Sequence, residues 1–334
     1  MVIRVATRRS LLALAQTRWV VEQIQKHFPD LSVQEVLITT EGDRRLDQSL
    51  ARIGGKGLFV SELEKAIAEG RADLAVHSMK DVPERLGDGM AIVAVPERVD
   101  PRDALVSPRS GGLDGLPVGA SIGTSSLRRV LQLKAKRSDL RFVPMRGNVD
   151  TRLKRLREGK VDGIVLAMAG LTRLGLSKLG LRLEGGKEGE AQGDLWVKPF
   201  AVEEVIPAVG QGALAIEGLA DSSWVHDLAR PIRHFETELA VLAERSVLKA
   251  LQGTCTTPLA VHARLVGERL ELMAWVGAPD GSAAVRIHEE IALKNATQEE
   301  VEQGAIRFAD RLLAQGAERI LQEARTIEDP YSFY

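Results

Sequence analysis

Val118-Gly119-Ala120-Ser121-Ile122-Gly123-Thr124-Ser125-Ser126-Leu127-Arg128-Arg129-Val130-Leu131-Gln132-Leu133-Lys134-Ala135-Lys136 decides the fold class. It reads as an extended run over 118–123, a hydroxyl cap at Ser125 or Ser126, and a helix from Leu127 towards Lys136. The pattern continues downstream. Residues 141–145 are extended, Asn148 can cap a helix ending near Gly159, and 163–167 reads as another buried strand. The same order occurs upstream. Residues 2–6 are extended, Ser10 can cap a helix to about His27, and 32–39 is extended. Phe59, Leu63 and Ile67 then give a helical stripe, and 72–77 reads as a buried strand. Strand and helix alternate in two successive sets. That predicts an α/β protein with two doubly wound lobes and a cleft between them, where strand carboxyl ends present loops to a ligand.

From His234 the pattern changes. One helix carries Phe235, Leu239, Leu242, Leu248 and Leu251. Residues 259–266, 270–276 and 283–291 then form a three-strand meander with turns at Gly267-Glu268 and Pro279-Asp280-Gly281. Thr297 and Glu300 have capping-box spacing before a helical face of Val301, Ala305, Phe308 and Leu312. This is a small α+β C-terminal domain with a three-stranded sheet. The expected division is 1–98 with 213–233, then 102–206, then 235–334. Residues 184–197, rich in Gly, Glu, Lys, Gln and Asp, read as an exposed loop or insertion.

Charge excludes some functions. Forty-five Lys and Arg against 46 Asp and Glu leave a net charge of -1, so overall charge predicts neither nucleic-acid nor membrane binding. Anion recognition must come from local clustering. No apolar run approaches the ~20 residues of a membrane span. Thr7-Arg8-Arg9-Ser10-Leu11-Leu12-Ala13-Leu14-Ala15 superficially suggests an export signal, but the apolar stretch stops at Gln16 and Arg18 follows. The expected location is cytoplasmic, which agrees with the absence of any possible internal disulfide.

Cys255 is the one cysteine of 334 residues. It is a buried bystander, a nucleophile or a covalent attachment point. Gly253 before it can end a helix, and threonines and Pro258 surround the sulfur, which places the thiol on a loop. Cations recur at helix starts: Arg8 and Arg9 before Ser10, Arg128 and Arg129 after Ser126, Arg146 and Arg152 around Asn148. A cation there opposes the helix dipole by about 0.3–1 kcal/mol. An anion accepting from the free backbone N–H groups and pairing with the guanidinium reverses that sign. The competing explanation is a set of solvated surface arginines, and recurrence at three helix starts weighs against it. Lys80 and Asp81 follow the 72–77 strand at a strand-end loop, where Asp81 can stabilise a developing cation. His77 closes an apolar run and reads as structural. Gly54-Gly55-Lys56-Gly57 lacks the Lys-Ser/Thr of a nucleotide loop and reads as a mobile loop with Phe59 beyond it. No His and Cys spacing suits a metal.

Taken together, Ala6-Thr7-Arg8-Arg9-Ser10-Leu11-Leu12-Ala13-Leu14, Gly54-Gly55-Lys56-Gly57-Leu58-Phe59, Val76-His77-Ser78-Met79-Lys80-Asp81-Val82-Pro83, Ile122-Gly123-Thr124-Ser125-Ser126-Leu127-Arg128-Arg129, Arg146-Gly147-Asn148-Val149-Asp150-Thr151-Arg152, Pro207-Ala208-Val209-Gly210-Gln211-Gly212 and the Cys255 loop resemble the porphobilinogen deaminase family. The resemblance covers nearly the whole chain. It implies a three-domain transferase of tetrapyrrole and heme biosynthesis, with lobes like periplasmic-binding-protein domains. It implies that Cys255 carries a dipyrromethane cofactor through a thioether. Four porphobilinogen molecules are joined head to tail onto that primer with loss of ammonia, and hydroxymethylbilane is hydrolysed off. It implies that Asp81 is catalytic. It implies that Lys80, Ser126, Arg128, Arg129, Arg146 and Asn148 hold the cofactor. Arg8, Ser10, Arg146, Arg152 and Arg173 would hold porphobilinogen and the growing oligopyrrole, with Lys56 and Phe59 on a mobile loop. A monomer is the family expectation. The chain departs from the family at Thr254, where many members have a second glycine, and in the length of 184–197.

Two other readings fit parts of the pattern. A two-lobed anion- or solute-binding protein explains the lobes but has no use for Cys255. A polyanion or nucleic-acid binder explains the arginines but calls for a basic domain or stacking aromatics, and this chain is neutral with 4% aromatic residues.

Overall fold

The computed structural model describes residues 2–44, 57, 59–185, 193–254 and 257–327. In chain order these form β1 (Val2–Arg8), α1 (Leu11–His27), β2 (Ser32–Ile38), α2 (Glu41–Arg44), α3 (Ser61–Ala68), β3 (Leu74–Ser78) and β4 (Met90–Ala94). Next come β5 (Asp103–Ser107), β6 (Ser121–Gly123), α4 (Leu127–Lys136), β7 (Arg141–Val143), α5 (Val149–Arg157), β8 (Gly163–Ala167), α6 (Met168–Leu174), β9 (Leu181–Leu183) and β10 (Leu195–Pro199). The chain ends with β11 (Leu214–Leu219), α7 (Ser223–Ala229), α8 (Phe235–Ala250), β12 (Leu259–Val266), β13 (Arg269–Gly277), β14 (Ala284–Ala292), α9 (Gln298–Leu312) and α10 (Glu318–Thr326).

Three sheets result, ordered β2-β1-β3-β11-β4, β7-β6-β8-β5-β10-β9 and β12-β13-β14. The first two share a plan. Three parallel strands lie second-first-third, and a strand antiparallel to the third follows: β11 beside β3 and β5 beside β8. In each case that fourth strand begins just after the chain has crossed between the sheets. Both faces of each sheet are covered, as apolar runs without polar alternation require. Ile3, Val5 and Leu74 pack on Val20 and Ile24 of α1, while Ala6 and Ala75 pack on Leu63 and Ile67 of α3. Leu105, Ile122 and Val165 meet Val130 and Leu133 of α4, and Ile164 and Leu166 meet Leu153 and Leu156 of α5. The expected doubly wound lobes are therefore present, with mixed rather than wholly parallel sheets.

The third sheet is the expected antiparallel meander. Its core is Leu239 and Val247 of α8, Leu272 of β13 and Phe308 of α9. Its other face meets the second lobe, where Ala260, Met273 and Trp275 pack on Leu127, Leu131 and Ile206. Helix starts follow the sequence closely. Ser10 caps α1 by accepting from Ala13 N, and Thr297 and Glu300 form the full capping box of α9.

Three expectations change. The strand expected at 118–123 begins only at Ser121, because Gly119 turns the chain at φ +71° and leaves Val118 90% exposed. The 184–197 stretch is not all loop. Leu195 and Val197 are buried in β10, whose Trp196 pairs with Ser107 of β5. After α8, the left-handed position belongs to Gln252 at φ +50°, not to Gly253. Gly253 is there for space: a Cβ would come within 2.7 Å of Leu248 and 2.9 Å of Leu259 side chains.

The two crossings between lobes lie backbone to backbone. Gly212, at φ +92°, has room for no side chain, since a Cβ would stand 2.5 Å from the Val99 carbonyl. Beside them Glu244 of α8 is fully buried. It accepts from both terminal nitrogens of Arg98 at 2.7 and 3.0 Å, from Gly210 N at 2.6 Å and from Ala263 N at 2.8 Å. A charge this deep is tolerable only with such a full set of donors. One carboxylate thereby ties both crossings to the third sheet.

Candidate functional site

Strand β3 ends at Ser78, and a single 3-10 turn over Met79–Asp81 follows. Met79 points into the core, Lys80 is half-buried and Asp81 is exposed. The turn is held on both sides. Met79 N donates to Ala213 O at 3.0 Å. From α8, Arg245 donates to the carbonyls of Val82, Pro83 and Glu84 at 3.2, 2.7 and 3.1 Å. His77, just before, is buried with Nε2 2.8 Å from Glu217 Oε2 in the interior of the first lobe, so its role is structural as expected.

The strand-end turn faces cations from the second lobe. Arg128 and Arg129 start α4, but they are not solvated surface arginines: only 5% and 7% of each is exposed. Arg128 donates to Asp103 Oδ2 at 2.7 Å and to Ile206 O at 2.6 Å. Arg129 donates to Asp103 Oδ1 at 2.7 Å and to Val165 O at 2.8 Å. Burial opposes the charge on Asp103, yet the two guanidiniums override it and hold the carboxyl far below the usual carboxylate range. Burial pushes the Lys80 ammonium down to about 8, against the pull of Asp81 and with a further push from Arg129.

Arg146 and Arg152 flank the start of α5. Nη1 of Arg146 is buried with no hydrogen-bond partner among the described residues. Arg152 donates from Nε to Gly147 O at 2.8 Å. Burial pushes its guanidinium down to about 10, and the charges acting on it, from Arg129, Arg146 and Arg155, are all positive. A buried donor without a partner and a cation surrounded by cations are both costly in the free protein. Several carboxylates arriving together would remove both costs. The donor set therefore fits an anionic group such as an oligopyrrole with acid side chains.

The other expected residues lie apart from this cluster or bind within the protein. Burial also pushes Arg173 of α6 down to about 10, and its Nη2 donates to Gly212 O at 2.8 Å. Arg8 pairs with Asp43, Nε to Oδ2 at 3.2 Å, and its guanidinium lies 4.1 Å over the Phe59 ring. Ser10 is occupied as the cap of α1. Ser126 and Asn148 stand at the N-cap positions of α4 and α5 with no side-chain cap bond. Cys255 and Lys56 lie outside the described residues. The residues flanking Cys255 are anchored: Gly253 N donates to Leu248 O at 3.0 Å, and Thr254 N to Thr257 Oγ1 at 2.8 Å.

Sequence reading missed Asp103, Gln211, Glu244 and Arg245. Their partners lie far along the chain, 25 positions from Asp103 to Arg128 and 146 from Glu244 to Arg98, and such contacts leave no local period. The available signal was the acidic residue inside the apolar face of α8 at Glu244. Among the described residues no group of three or more His, Cys, Asp or Glu side chains is placed to hold a metal, and no helix is long and apolar enough to cross a membrane.

Two family models together match nearly the whole chain. The family model described as porphobilinogen deaminase, dipyromethane cofactor binding domain, matches residues 3–227. The model of the porphobilinogen deaminase C-terminal domain matches residues 238–314. Among solved structures, the methionine binding protein MetQ is similar at 13% identity and a TM-score of 0.41, over 69% of this chain and 89% of that one. The periplasmic VFT2 domain of BvgS from Bordetella pertussis is similar at 13% identity and a TM-score of 0.39, over 69% and 86%. The OxyR2 regulatory domain from Vibrio vulnificus (an E204G mutant) is similar at 15% identity and a TM-score of 0.39, over 70% and 94%. Likeness at these scores carries no argument about function.

Proposed function

Because the chain belongs to the porphobilinogen deaminase family, and so joins four porphobilinogen molecules into hydroxymethylbilane on a dipyrromethane cofactor, we propose that Asp81 is its catalytic carboxylate and Cys255 the attachment point of that cofactor. Lys80, Arg128, Arg129, Arg146 and Arg152 anchor the acid side chains of cofactor and growing chain, with Ser126 and Asn148 assisting at the helix starts. Arg8, Ser10 and Arg173 serve the incoming substrate, and Lys56 and Phe59 belong to a loop that adjusts to it. One observation carries the reading: the buried, partnerless Arg146 Nη1 beside Arg152, whose charged neighbours are all cations, among them the Arg129 that also acts on Lys80.

When bound, the cofactor supplies a tethered pyrrole terminus for the chain to grow on. The protein's own groups do the rest. Each ring carries an acetate and a propionate, and a planar guanidinium meets a carboxylate through two parallel N–H donors. Asp81, set at a strand end by anchors on both sides, accepts from pyrrole N–H groups. It stabilises the positive charge that appears in the substrate as ammonia leaves. The third sheet and its helices hold the Cys255 loop, while the two lobes supply carboxylate and cations. That is the reason for dividing the chain into 1–98 with 213–233, 102–206 and 235–334. A cytoplasmic monomer belongs to the same proposal, the location supported by a single cysteine that can form no internal disulfide.

Mixing the protein with porphobilinogen and reading intact mass tests this. The expected result is a ladder of up to four pyrrole additions with ammonia released at each. Saturable binding without any mass increase would leave a solute-binding protein instead.

A pH dependence follows from Lys80. Its pKa is lowered from 10.5 to about 8, so the cation is present below that value and lost as pH rises through it. kcat/KM is expected to fall above about pH 8, and Lys80→Arg, whose guanidinium stays charged, to hold kcat/KM level to pH 9. Parallel profiles for the two proteins would take Lys80 out of anion binding.

A further inference from the structure

Asp103 is wholly buried at the first position of β5, directly after the first crossing between the lobes. Its two oxygens collect donors from two separate segments, α4 and the second crossing. Arg128 Nη2 reaches Oδ2 at 2.7 Å, and Arg129 reaches Oδ1 through Nη2 at 2.7 Å and Nε at 3.2 Å. Gln211, on the second crossing, donates from Nε2 to the same Oδ1 at 2.9 Å and to Pro101 O at 2.7 Å. Arg98, held by Glu244, donates to the Gln211 carbonyl at 2.8 Å. A single carboxylate is thus shared by two guanidiniums, and its own position is set from the crossings. Neutralising both arginines would take a second carboxylate, and among the described residues neither has an acidic hydrogen-bond partner besides Asp103. The pair keeps one net positive charge at the edge of a region already crowded with cations.

We propose that Asp103 is a positioning residue for the polymerisation: it aims Arg128 and Arg129 at the oligopyrrole and withholds one of their two charges, so that the chain is held without being trapped. The need comes from the substrate. Every ring added brings two more carboxylates, so attraction between chain and crevice grows throughout the reaction. A stronger uniform attraction stabilises each bound intermediate as much as the transition state beyond it and does nothing for turnover. It does slow the final release. Tempering this cation pair with a fixed internal carboxylate limits that growth, and fastening the carboxylate to both crossings keeps its geometry constant as rings are added. This inference rests on the assignment of Asp81 and the arginines given above.

Two substitutions in the full, cofactor-bearing enzyme move the charge in opposite directions. Asp103→Asn makes the pair one unit more positive. Late enzyme-bound intermediates are then expected to accumulate on intact-mass analysis, with kcat down about tenfold and KM unchanged or lower, since one charge at a few ångströms is worth at least that factor. Added salt should restore part of the loss by screening. Gln211→Glu adds a negative charge beside Asp103, and KM for porphobilinogen is expected to rise about tenfold with early enzyme-bound intermediates predominating on intact-mass analysis. A purely structural role lowers melting temperature and kcat together, without a shift in which intermediate accumulates and without opposite signs for the two variants. A wild-type intermediate distribution in cofactor-loaded Asp103→Asn, or effects of the same sign in both, overturns the inference. Where Asp103→Asn does not fold, Gln211→Glu decides: a raised KM supports the proposal and an unchanged one overturns it. Asp81→Ala run alongside separates the two levels. A fully active Asp81→Ala means the assignment of the site has failed. An inactive one beside an unaffected Asp103→Asn means only the role given to Asp103 has failed.

Discussion

Cys255→Ala is expected to give a folded protein with background activity whose intact mass equals its sequence alone. The chain has no other thiol to take over the attachment, and a serine or threonine hydroxyl is a far poorer nucleophile than a thiolate near neutral pH. The described residues on either side of the sulfur are held by other contacts. Leu248, Gly253 and Leu259 pack together, and Thr257 accepts from Thr254 N. The fold should therefore survive, but with a lower melting temperature. The cofactor binds only the folded chain, and without it the partnerless Arg146 donor and the crowded Arg152 keep their full cost. Retained turnover, or a pigment still bound covalently, would show that the attachment lies elsewhere.

Asp81→Ala is expected to lower kcat by about 100-fold or more while KM for porphobilinogen changes by less than about threefold, the signature of a group that acts on charge formed in the transition state. The cofactor should still be in place. Asp81 is exposed on a turn fastened by Ala213 on one side and Arg245 on the other, so truncating its side chain leaves no cavity and breaks no anchor. Asp81→Asn should be nearly as slow, because it keeps the shape and loses the charge. Asp81→Glu should recover part of the rate. If Asn restored activity as well as Glu does, hydrogen bonding and not charge would be the working property.

Much of this architecture was legible because it is local. Ser10 and Thr297 announce their helices through the caps they form, and the meander of β12–β14 follows from turn residues between alternating runs. The strand β10 was hidden because Leu195 and Val197 are brief apolar marks at the end of a charged, glycine-rich stretch. Their burial depends on β5, almost ninety positions earlier. The site divides in the same way. Lys80, Arg128 and Arg152 stand out as cations at strand ends and helix starts, where the backbone itself creates an anion site. What Arg128 and Arg129 actually touch was not visible. Asp103 sits in Asp100-Pro101-Arg102-Asp103, which reads as a charged connector, and its burial follows only once α4 and both crossings have assembled around it. Arg8 likewise looks open until α2 brings Asp43 to it.

The placement of β11 bears on the order in which the protein can assemble on a ribosome. Strands β3 and β4 of the first lobe pair with β11, and β11 is translated only after the whole second lobe. The second sheet is drawn entirely from 103–199 and can close as soon as that stretch has emerged. The N-terminal half must therefore wait with two open strand edges while its downstream neighbour is already complete. In that interval it is a natural client for chaperones and the part of the nascent chain most exposed to aggregation.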